Sequence, residues 1–439
     1  MDWLVTLVTA ALCLYMAWTI GANDVANSMG TPVGAGCITI RQALLIAATC
    51  EFAGAVLVGS DVTDTIRKGI VQPSAVVVPG DPLLGPARLC LGMACALLAS
   101  ALWLHIATWL GMPVSTTHSI VGAVAGFGIV AAGWASVDWG RMAGIVSSWF
   151  ISPIAGVALG YLIFKFISRS VLGRAKPIKA AVVVTPVIVF VVVAVVALAT
   201  VYDGLKNLVE KGSLVVSGWG AILLSAAIGT LAALLSVVLV RRYARGCGRL
   251  PLPEQLRKVE RLFVPLAVLA ACSVSFAHGA NDVANAVGPV AAIVDILKTG
   301  GVQEKVPVPF WILALGGAGI VLGLGTYGYA VMRTIGTEIT EITPSRAVAT
   351  GIATASTVLV CTRLGLPVST SHTVVGAVLG VGLARGLGAV NRRVTRNIFG
   401  SWLATVPAAA GMTIVLFLLG RLAGVDAFLK QVMPSGPTP

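Results

Sequence analysis

The sequence GANDVANSMG, at residues 21–30, recurs as GANDVANAVG at residues 279–288, 258 positions further along the chain. A second sequence, GMPVSTTHSIVGAVAG at 111–126, recurs as GLPVSTSHTVVGAVLG at 365–380, 254 positions later. Two motifs that repeat in one order at nearly one offset indicate an internal duplication. Both motifs are also more polar than the apolar sequence around them. Duplicated polar motifs in apolar sequence are typical of membrane carriers with a central site between repeats.

The composition of the 439-residue chain is that of a membrane protein. Hydrophobic residues make up 57% of it, charged residues only 11%, and its mean hydropathy is +0.95. Soluble domains carry about 25% charged residues. The net charge of +13 comes from basic residues in loops between apolar runs. We therefore predict a lipid bilayer, and no nucleic acid, as the partner of these charges.

The apolar runs predict an all-α polytopic membrane protein with about twelve segments. The first five match the last five, and the sixth and seventh join the two repeats. We place the segments near residues 3–22, 39–59, 86–111, 113–133, 141–168, 179–201, 214–240, 262–288, 308–332, 346–364, 367–388 and 397–424. The corresponding divisions are a first repeat at 1–170, joining helices and a basic loop at 171–261, a second repeat at 262–425 and a tail at 426–439.

The number of segments predicts the orientation of the repeats. Seven segments separate their starts, so the repeats enter the membrane from opposite faces and are inverted. The segments that flank each PVST sequence could instead form re-entrant hairpins, which would leave this parity unchanged. Of the 30 Lys and Arg residues, 19 lie on the side opposite the N-terminus. The positive-inside rule makes that side cytoplasmic, with both termini outside a plasma membrane.

The two GANDVAN motifs supply oxygen ligands of the kind that hard cations prefer. Glycines bracket each motif, so a helix could unwind there and expose carbonyl oxygens beside the side chains. The alternative is that Asn and Asp merely cap helix ends at the membrane interface. The polar members of the first motif are Asn23, Asp24, Asn27 and Ser28, mirrored by Asn281, Asp282 and Asn285.

The two PVST motifs predict an anion site. Pro113 and Pro367 suit the first position of a helix, where free N–H groups and the positive end of the helix dipole attract anions. Two facing helix starts would hold a tetrahedral oxyanion between them. Alternatively, the hydroxyls bond to carbonyl groups one turn earlier. The hydroxyl residues are Ser115, Thr116 and Thr117 in the first motif and Ser369, Thr370 and Ser371 in the second.

Four further titratable residues lie in or beside these segments. His118 and His372 end the PVST motifs, where they could couple transport to protons or orient the hairpins as neutral side chains. His278 precedes the second GANDVAN motif, and the same two interpretations apply to it. Glu51 lies inside the second apolar segment, where a lone acid is either a functional residue or a buried structural partner.

The charge balance of the motifs predicts cation-coupled transport. A bound phosphate and the two aspartates bring about four negative charges together at neutral pH. None of the four motifs contains Lys or Arg to balance them. Cations that enter with the anion would do so, which is symport.

The paired GANDVAN and PVST-x-H motifs resemble the inorganic phosphate transporter family, from residue 21 to about 407. The resemblance implies a homodimeric inverted-repeat carrier that moves inorganic phosphate with Na⁺ or H⁺ and needs no other cofactor. It implies phosphate contacts at the six hydroxyl residues. It implies Na⁺ sites at Asn23, Asp24, Asn281 and Asp282.

The chain differs from eukaryotic members of that family, which suggests a prokaryotic member. It lacks their long soluble insert, and Gly351 and Met93 stand where they have glutamates. Sulfate is an alternative substrate, although the retained aspartates could accept the hydroxyl proton of phosphate and favour it. An anion channel is the alternative of another class. The sequence contains no HExxH, GxSxG or Walker motif, so we predict neither an enzyme nor an ATP-driven pump.

Overall fold

The computed structural model describes residues 3–58, 70–71, 73–76, 78–199, 218–302, 308–363 and 368–434. Within these ranges the chain is helical, and β-type pairing is confined to two isolated bridges. We number the α-helices in chain order: α1 (Trp3–Gly34), α2 (Ile40–Val58), α3 (Leu84–Trp109), α4 (Thr116–Ala132), α5 (Trp139–Ile167), α6 (Pro177–Ala199), α7 (Gly218–Ala244), α8 (Leu252–Thr299), α9 (Phe310–Tyr327), α10 (Tyr329–Arg333), α11 (Pro344–Arg363), α12 (Thr370–Arg385), α13 (Arg392–Leu422) and α14 (Val425–Val432).

The apolar helices confirm the predicted all-α polytopic fold. In the described part of the chain, nine helices are long and apolar enough to cross a membrane, namely α1–α3, α5–α9 and α13. Helices α4 and α12, which follow the PVST sequences, have only 17 and 16 residues. A spanning helix needs about 20. Their length therefore fits hairpins that turn inside the protein better than full crossings.

The prediction that the helices unwind at the GANDVAN motifs is wrong. Helix α1 runs for 32 residues and α8 for 48, each without interruption through its motif. The motif glycines instead permit close helix packing. A Cβ atom on Gly21 would lie 1.9 Å from the carbonyl oxygen of Ile320, and one on Gly279 would lie 2.1 Å from that of Glu51. These glycines are needed for contact between helix backbones.

The two repeats interlock. Helix α1 of the first repeat packs along α9 of the second, and α8 packs along α2 in the same manner. Likewise α5 packs against α12, and α13 packs against α4. Each PVST helix is therefore supported by the other repeat.

The end of α3 and the start of α12 lie beside the middle of the long helix α1. Asn23, in α1, donates its side-chain N–H to Thr108 Oγ1 at the end of α3, with an N–O distance of 2.9 Å. Asn27, one turn further along α1, donates to Ser371 Oγ in the first turn of α12 at 2.8 Å. Both PVST segments thus meet the GANDVAN motifs in the interior.

Candidate anion and cation site between the repeats

The serine of each PVST motif is a helix N-cap. Ser115 Oγ accepts the backbone N–H of His118 at 3.1 Å, and Ser369 Oγ accepts that of His372 at 3.2 Å. Helices α4 and α12 begin one residue later. Pro113 therefore lies two residues before the cap and not at the first helical position as predicted, while Pro367 lies outside the described residues. The first N–H groups of each helix still have no acceptor within the helix.

The hydroxyl residues of each hairpin contact an asparagine of the other repeat's GANDVAN motif. Asn27 Nδ2 donates to Ser371 Oγ at 2.8 Å and lies 3.4 Å from Thr370 Oγ1. In the mirror arrangement, Asn285 Nδ2 lies 3.2 Å from Thr116 Oγ1 and 3.4 Å from Thr117 Oγ1. All these side chains are buried. Four of the six predicted anion residues are therefore gathered around two asparagines that were predicted only as oxygen-bearing members of the GANDVAN motifs.

The two aspartates join the same cluster. Ser371 Oγ donates to Asp24 Oδ1 at 2.9 Å, and Thr370 Oγ1 donates to Asp282 Oδ2 at 3.1 Å. Both carboxylates are fully buried. The predicted anion and cation residues thus lie in one buried cluster, in which the hydroxyl groups that contact the carboxylates come from α12.

The asparagines that precede the aspartates have different contacts. Asn281 Nδ2 donates to Asp282 Oδ1 at 2.9 Å. Asn23 instead braces the α3–α4 turn, because its Nδ2 donates to the Met112 carbonyl at 3.1 Å and its Oδ1 accepts the Val114 N–H at 3.2 Å. The side chain of Asn23 is therefore directed at the PVST turn, whereas that of Asn281 contacts the carboxylate and also lies 3.5 Å from the Val368 carbonyl of the second PVST motif.

His278 lies between the aspartates. Its Nε2 atom is 2.8 Å from Asp282 Oδ2 and 3.6 Å from Asp24 Oδ2. Its Nδ1 atom is 3.4 Å from Glu51 Oε1, which also receives a long hydrogen bond of 3.5 Å from Ser28 Oγ. The structure thus brings Glu51, a predicted coupling residue, to the site through His278. The sequence signal for His278 was a lone histidine inside an apolar segment directly before the polar motif.

His118 and His372 lie in a different environment. Their rings are 4.3 Å apart, and they stack on Trp149 and Trp402 at centroid distances of 3.8 and 3.6 Å. They line a cavity of about 620 Å³ whose other walls are apolar side chains of α5 and α13. Trp402 Nε1 also donates to the Pro113 carbonyl at 3.1 Å. The two histidines thus pack behind the helix starts and not among the carboxylates.

Long apolar helices, duplicated motif pairs and a buried cluster of carboxylates, amides and hydroxyls define the class of protein as a membrane carrier. Comparison with known proteins identifies the family. The family model described as "Phosphate transporter family" matches residues 20–413. The chain belongs to this family.

Individual relatives agree with this assignment. A protein named as a phosphate permease from Pyrococcus abyssi is 45% identical over 421 residues, which cover 95% of this chain and 98% of the relative. "Inorganic phosphate transporter 2-1, chloroplastic" of Arabidopsis thaliana is 43% identical, over 94% of this chain and 71% of its own length. A solved structure titled "The sodium-dependent phosphate transporter" matches with a TM-score of 0.85 and 42% identity, over 95% of this chain and 99% of that one.

Family membership confirms several of the sequence-based predictions. The resemblance to the phosphate transporter family is correct, and the chain is a multi-pass membrane protein that transports phosphate. It falls in a class of permeases and transporters, not of enzymes. The family also implies no bound cofactor.

Proposed function

We propose that the protein imports inorganic phosphate by symport with Na⁺, through alternating access of one central site. Phosphate binds between the starts of α4 and α12, and Na⁺ binds at the adjacent carboxylates. The phosphate contacts are Ser115, Thr116, Thr117, Ser369, Thr370 and Ser371. The Na⁺ contacts are Asp24, Asp282 and Asn281, whereas Asn23 acts on the site by holding the α3–α4 turn.

The observation that carries this proposal is the contact of α12 with both carboxylates. Ser371 reaches Asp24 at 2.9 Å and Thr370 reaches Asp282 at 3.1 Å. An anion bound to these hydroxyls lies beside two buried negative charges. Uncompensated charges of one sign are very costly in a protein interior. Cations that bind together with phosphate remove this cost, so the two substrates bind better together than separately.

Sodium is the coupling ion that the relatives favour. The solved structure with 42% identity is titled as a sodium-dependent transporter. Carboxylate and amide oxygens are the ligands that hard cations prefer. Proton coupling is the competing possibility, since His278 and Glu51 lie next to the aspartates.

The interlocked repeats support alternating access. The α3–α4 turn and the start of α12 both contact α1 at the site, and we propose that each hairpin closes one side of it. We place both termini outside the plasma membrane, from the 19 of 30 basic residues on the opposite side. To test this orientation, a cysteine can be placed at Arg249 in a background without native cysteines. It should resist impermeant maleimide in intact cells.

We also propose a homodimer, as the family resemblance implies.

Uptake by the purified protein in proteoliposomes tests the mechanism. We expect ³²P-phosphate to accumulate against its gradient when Na⁺ is higher outside, with little uptake under a proton gradient alone. Excess sulfate should not compete. Uptake driven only by protons would reassign the coupling ion, and uptake that merely equilibrates phosphate under every gradient would favour a channel.

A further inference from the structure

The two repeats differ at one place beside the aspartates. The backbone contacts of Gly21 with Ile320 and of Gly279 with Glu51 are equivalent, so Glu51 occupies the position of Ile320 in the other repeat. The offset of 258 between the motifs pairs His278 with Ile20, and likewise Ala286 with Ser28. The interacting group of Ser28, Glu51 and His278 is therefore replaced by apolar residues in its mirror position.

His278 is one of four protein groups around Asp282. Its Oδ1 atom accepts hydrogen bonds from Asn281 at 2.9 Å and Asn285 at 3.3 Å. Its Oδ2 atom accepts one from Thr370 at 3.1 Å and is 2.8 Å from His278 Nε2, a close contact without hydrogen-bond alignment. A carboxylate accepts about four hydrogen bonds. Four protein groups thus occupy the positions around Asp282 that a cation would need.

Asp24 is less enclosed. Its Oδ1 atom accepts hydrogen bonds from Asn27 at 2.8 Å and Ser371 at 2.9 Å. Among the described residues, Asp24 Oδ2 and Asn27 Oδ1 have no hydrogen-bond donor although both are buried. Two unpaired oxygens on neighbouring turns of one helix are ready ligands for a hard cation.

We infer that His278, held by Glu51, is a displaceable internal ligand of Asp282 that competes with the coupling cation. The first Na⁺ binds at Asp24, where the unpaired Asn27 Oδ1 is a further ligand, and a second binds at Asp282 only after His278 moves away. This inference rests on the proposed Na⁺ symport. It holds for a neutral and for a charged imidazole, because either one occupies the space beside Asp282 Oδ2.

Glu51 acts as a positioning residue. Its Oε1 atom lies 3.4 Å from the His278 nitrogen that faces away from Asp282. Ser28 Oγ donates to the same Glu51 oxygen at 3.5 Å. Removing Glu51 should release the ring of His278 and weaken its competition with Na⁺.

Binding of ²²Na⁺ to the purified protein, in the absence and presence of phosphate, tests the inference. His278→Ile and Glu51→Ile copy the mirror residues Ile20 and Ile320, which the same fold already accommodates at those positions. We expect the wild type to show two Na⁺ affinities that differ about tenfold or more, because the second Na⁺ must displace a polar contact to a charged group. In each variant the weaker affinity should move toward the stronger one.

Ile20→Val is the matched control, because it alters the mirror position without adding or removing a polar group. We expect its two Na⁺ affinities to equal those of the wild type. Two unchanged affinities in both folded isoleucine variants, or a single affinity in the wild type, would overturn the inference while leaving Na⁺-driven phosphate uptake intact. Absence of ²²Na⁺ binding to the wild type, together with Na⁺-independent uptake, would remove the proposed symport itself.

Discussion

The two GANDVAN motifs have identical sequences over seven residues, yet their aspartates differ in environment. Asp282 is surrounded by three hydrogen-bond donors and an imidazole, whereas one oxygen of Asp24 has no donor among the described residues. Asn281 donates to Asp282, whereas its counterpart Asn23 donates to the Met112 carbonyl. His278, next to Glu51, lies beside Asp282, whereas Ile20 and Ile320 stand at the mirror positions. Duplicated sequence therefore need not give duplicated chemistry, because non-identical neighbours complete each copy.

The largest expected effect is the loss of either aspartate charge. Asp24→Asn and Asp282→Asn keep the shape and one oxygen ligand but remove the charge that holds the cation. We expect Na⁺-driven phosphate uptake to fall by roughly a hundredfold in each variant, the loss of an ion-pair interaction of about 3 kcal/mol. Because Asp24 is the less enclosed aspartate, we expect Asp24→Asn to abolish high-affinity ²²Na⁺ binding. Asp282→Asn should abolish only the weaker binding.

Asp138→Asn is the control for these variants. Asp138 caps α5 by accepting the N–H of Arg141 at 3.0 Å, and asparagine caps helices equally well. Its uptake should match that of the wild type. Full Na⁺-coupled uptake in both site variants, with monodisperse protein, would contradict the assignment of the aspartates.

The next largest effect, from replacing the N-cap serines, should be equal in the two repeats. Ser115 and Ser369 cap α4 and α12 with nearly the same geometry, at 3.1 and 3.2 Å. Alanine at either position removes the cap and one hydroxyl from the proposed phosphate site. We expect phosphate affinity to fall about tenfold or more in both, with a loss of about 1 kcal/mol of stability. Titration of phosphate uptake and thermal melting would measure the two effects.

A large difference between Ser115→Ala and Ser369→Ala would show that only one hairpin binds the anion. Val137→Ala, on the loop after α4, is a control that should leave phosphate affinity unchanged. Equal stability losses without any change of phosphate affinity would restrict both serines to helix capping.

A smaller effect on stability and phosphate affinity is expected at Trp402, which packs against His372 in α12. Trp402→Phe keeps an aromatic ring against His372 but removes the hydrogen bond to the Pro113 carbonyl. The loss should be about 0.5–1.5 kcal/mol of stability, because the bond is neutral and its acceptor is buried. Phosphate affinity should fall less than in Ser115→Ala. Thermal melting and uptake of the same preparation would separate the two quantities, and Phe399→Leu would serve as a packing control.

The smallest effect is expected at the base of the second hairpin. Arg346 and Arg385 lie 3.2 and 3.0 Å from Glu341, and they lower the pKa of its carboxyl group below the usual value. The stabilisation is therefore present above the pKa of the unfolded chain and is lost as the pH falls through the lower folded pKa. Because Glu341 is exposed, Glu341→Gln should cost at most about 1 kcal/mol. Melting curves of the wild type and the variant at neutral and acidic pH would detect this loss of stability. A larger loss at acidic pH than at neutral pH would contradict the predicted pH dependence.

Much of the fold was predictable because it is repeated. The matching motifs, the lengths of the apolar segments and the polar residues within them predict a helical carrier with paired hairpins. The predicted unwinding was wrong because glycine also permits close helix packing, and sequence does not distinguish these two uses. The hydroxyls and aspartates were recognised from residue type, but their contact across the repeats depends on interlocking helices.

The sequence by itself determined the duplication, the membrane-spanning class and the residue types of the site, since these depend on composition and periodicity along the chain. Tertiary structure alone decided that Asn27 and Asn285 meet the opposite hairpins, that His278 lies between the aspartates, and that His118 and His372 lie apart from them. The physical reason is distance along the chain. Asn27 meets Ser371 across 344 positions, and only packing of the two repeats brings such residues into hydrogen-bond range.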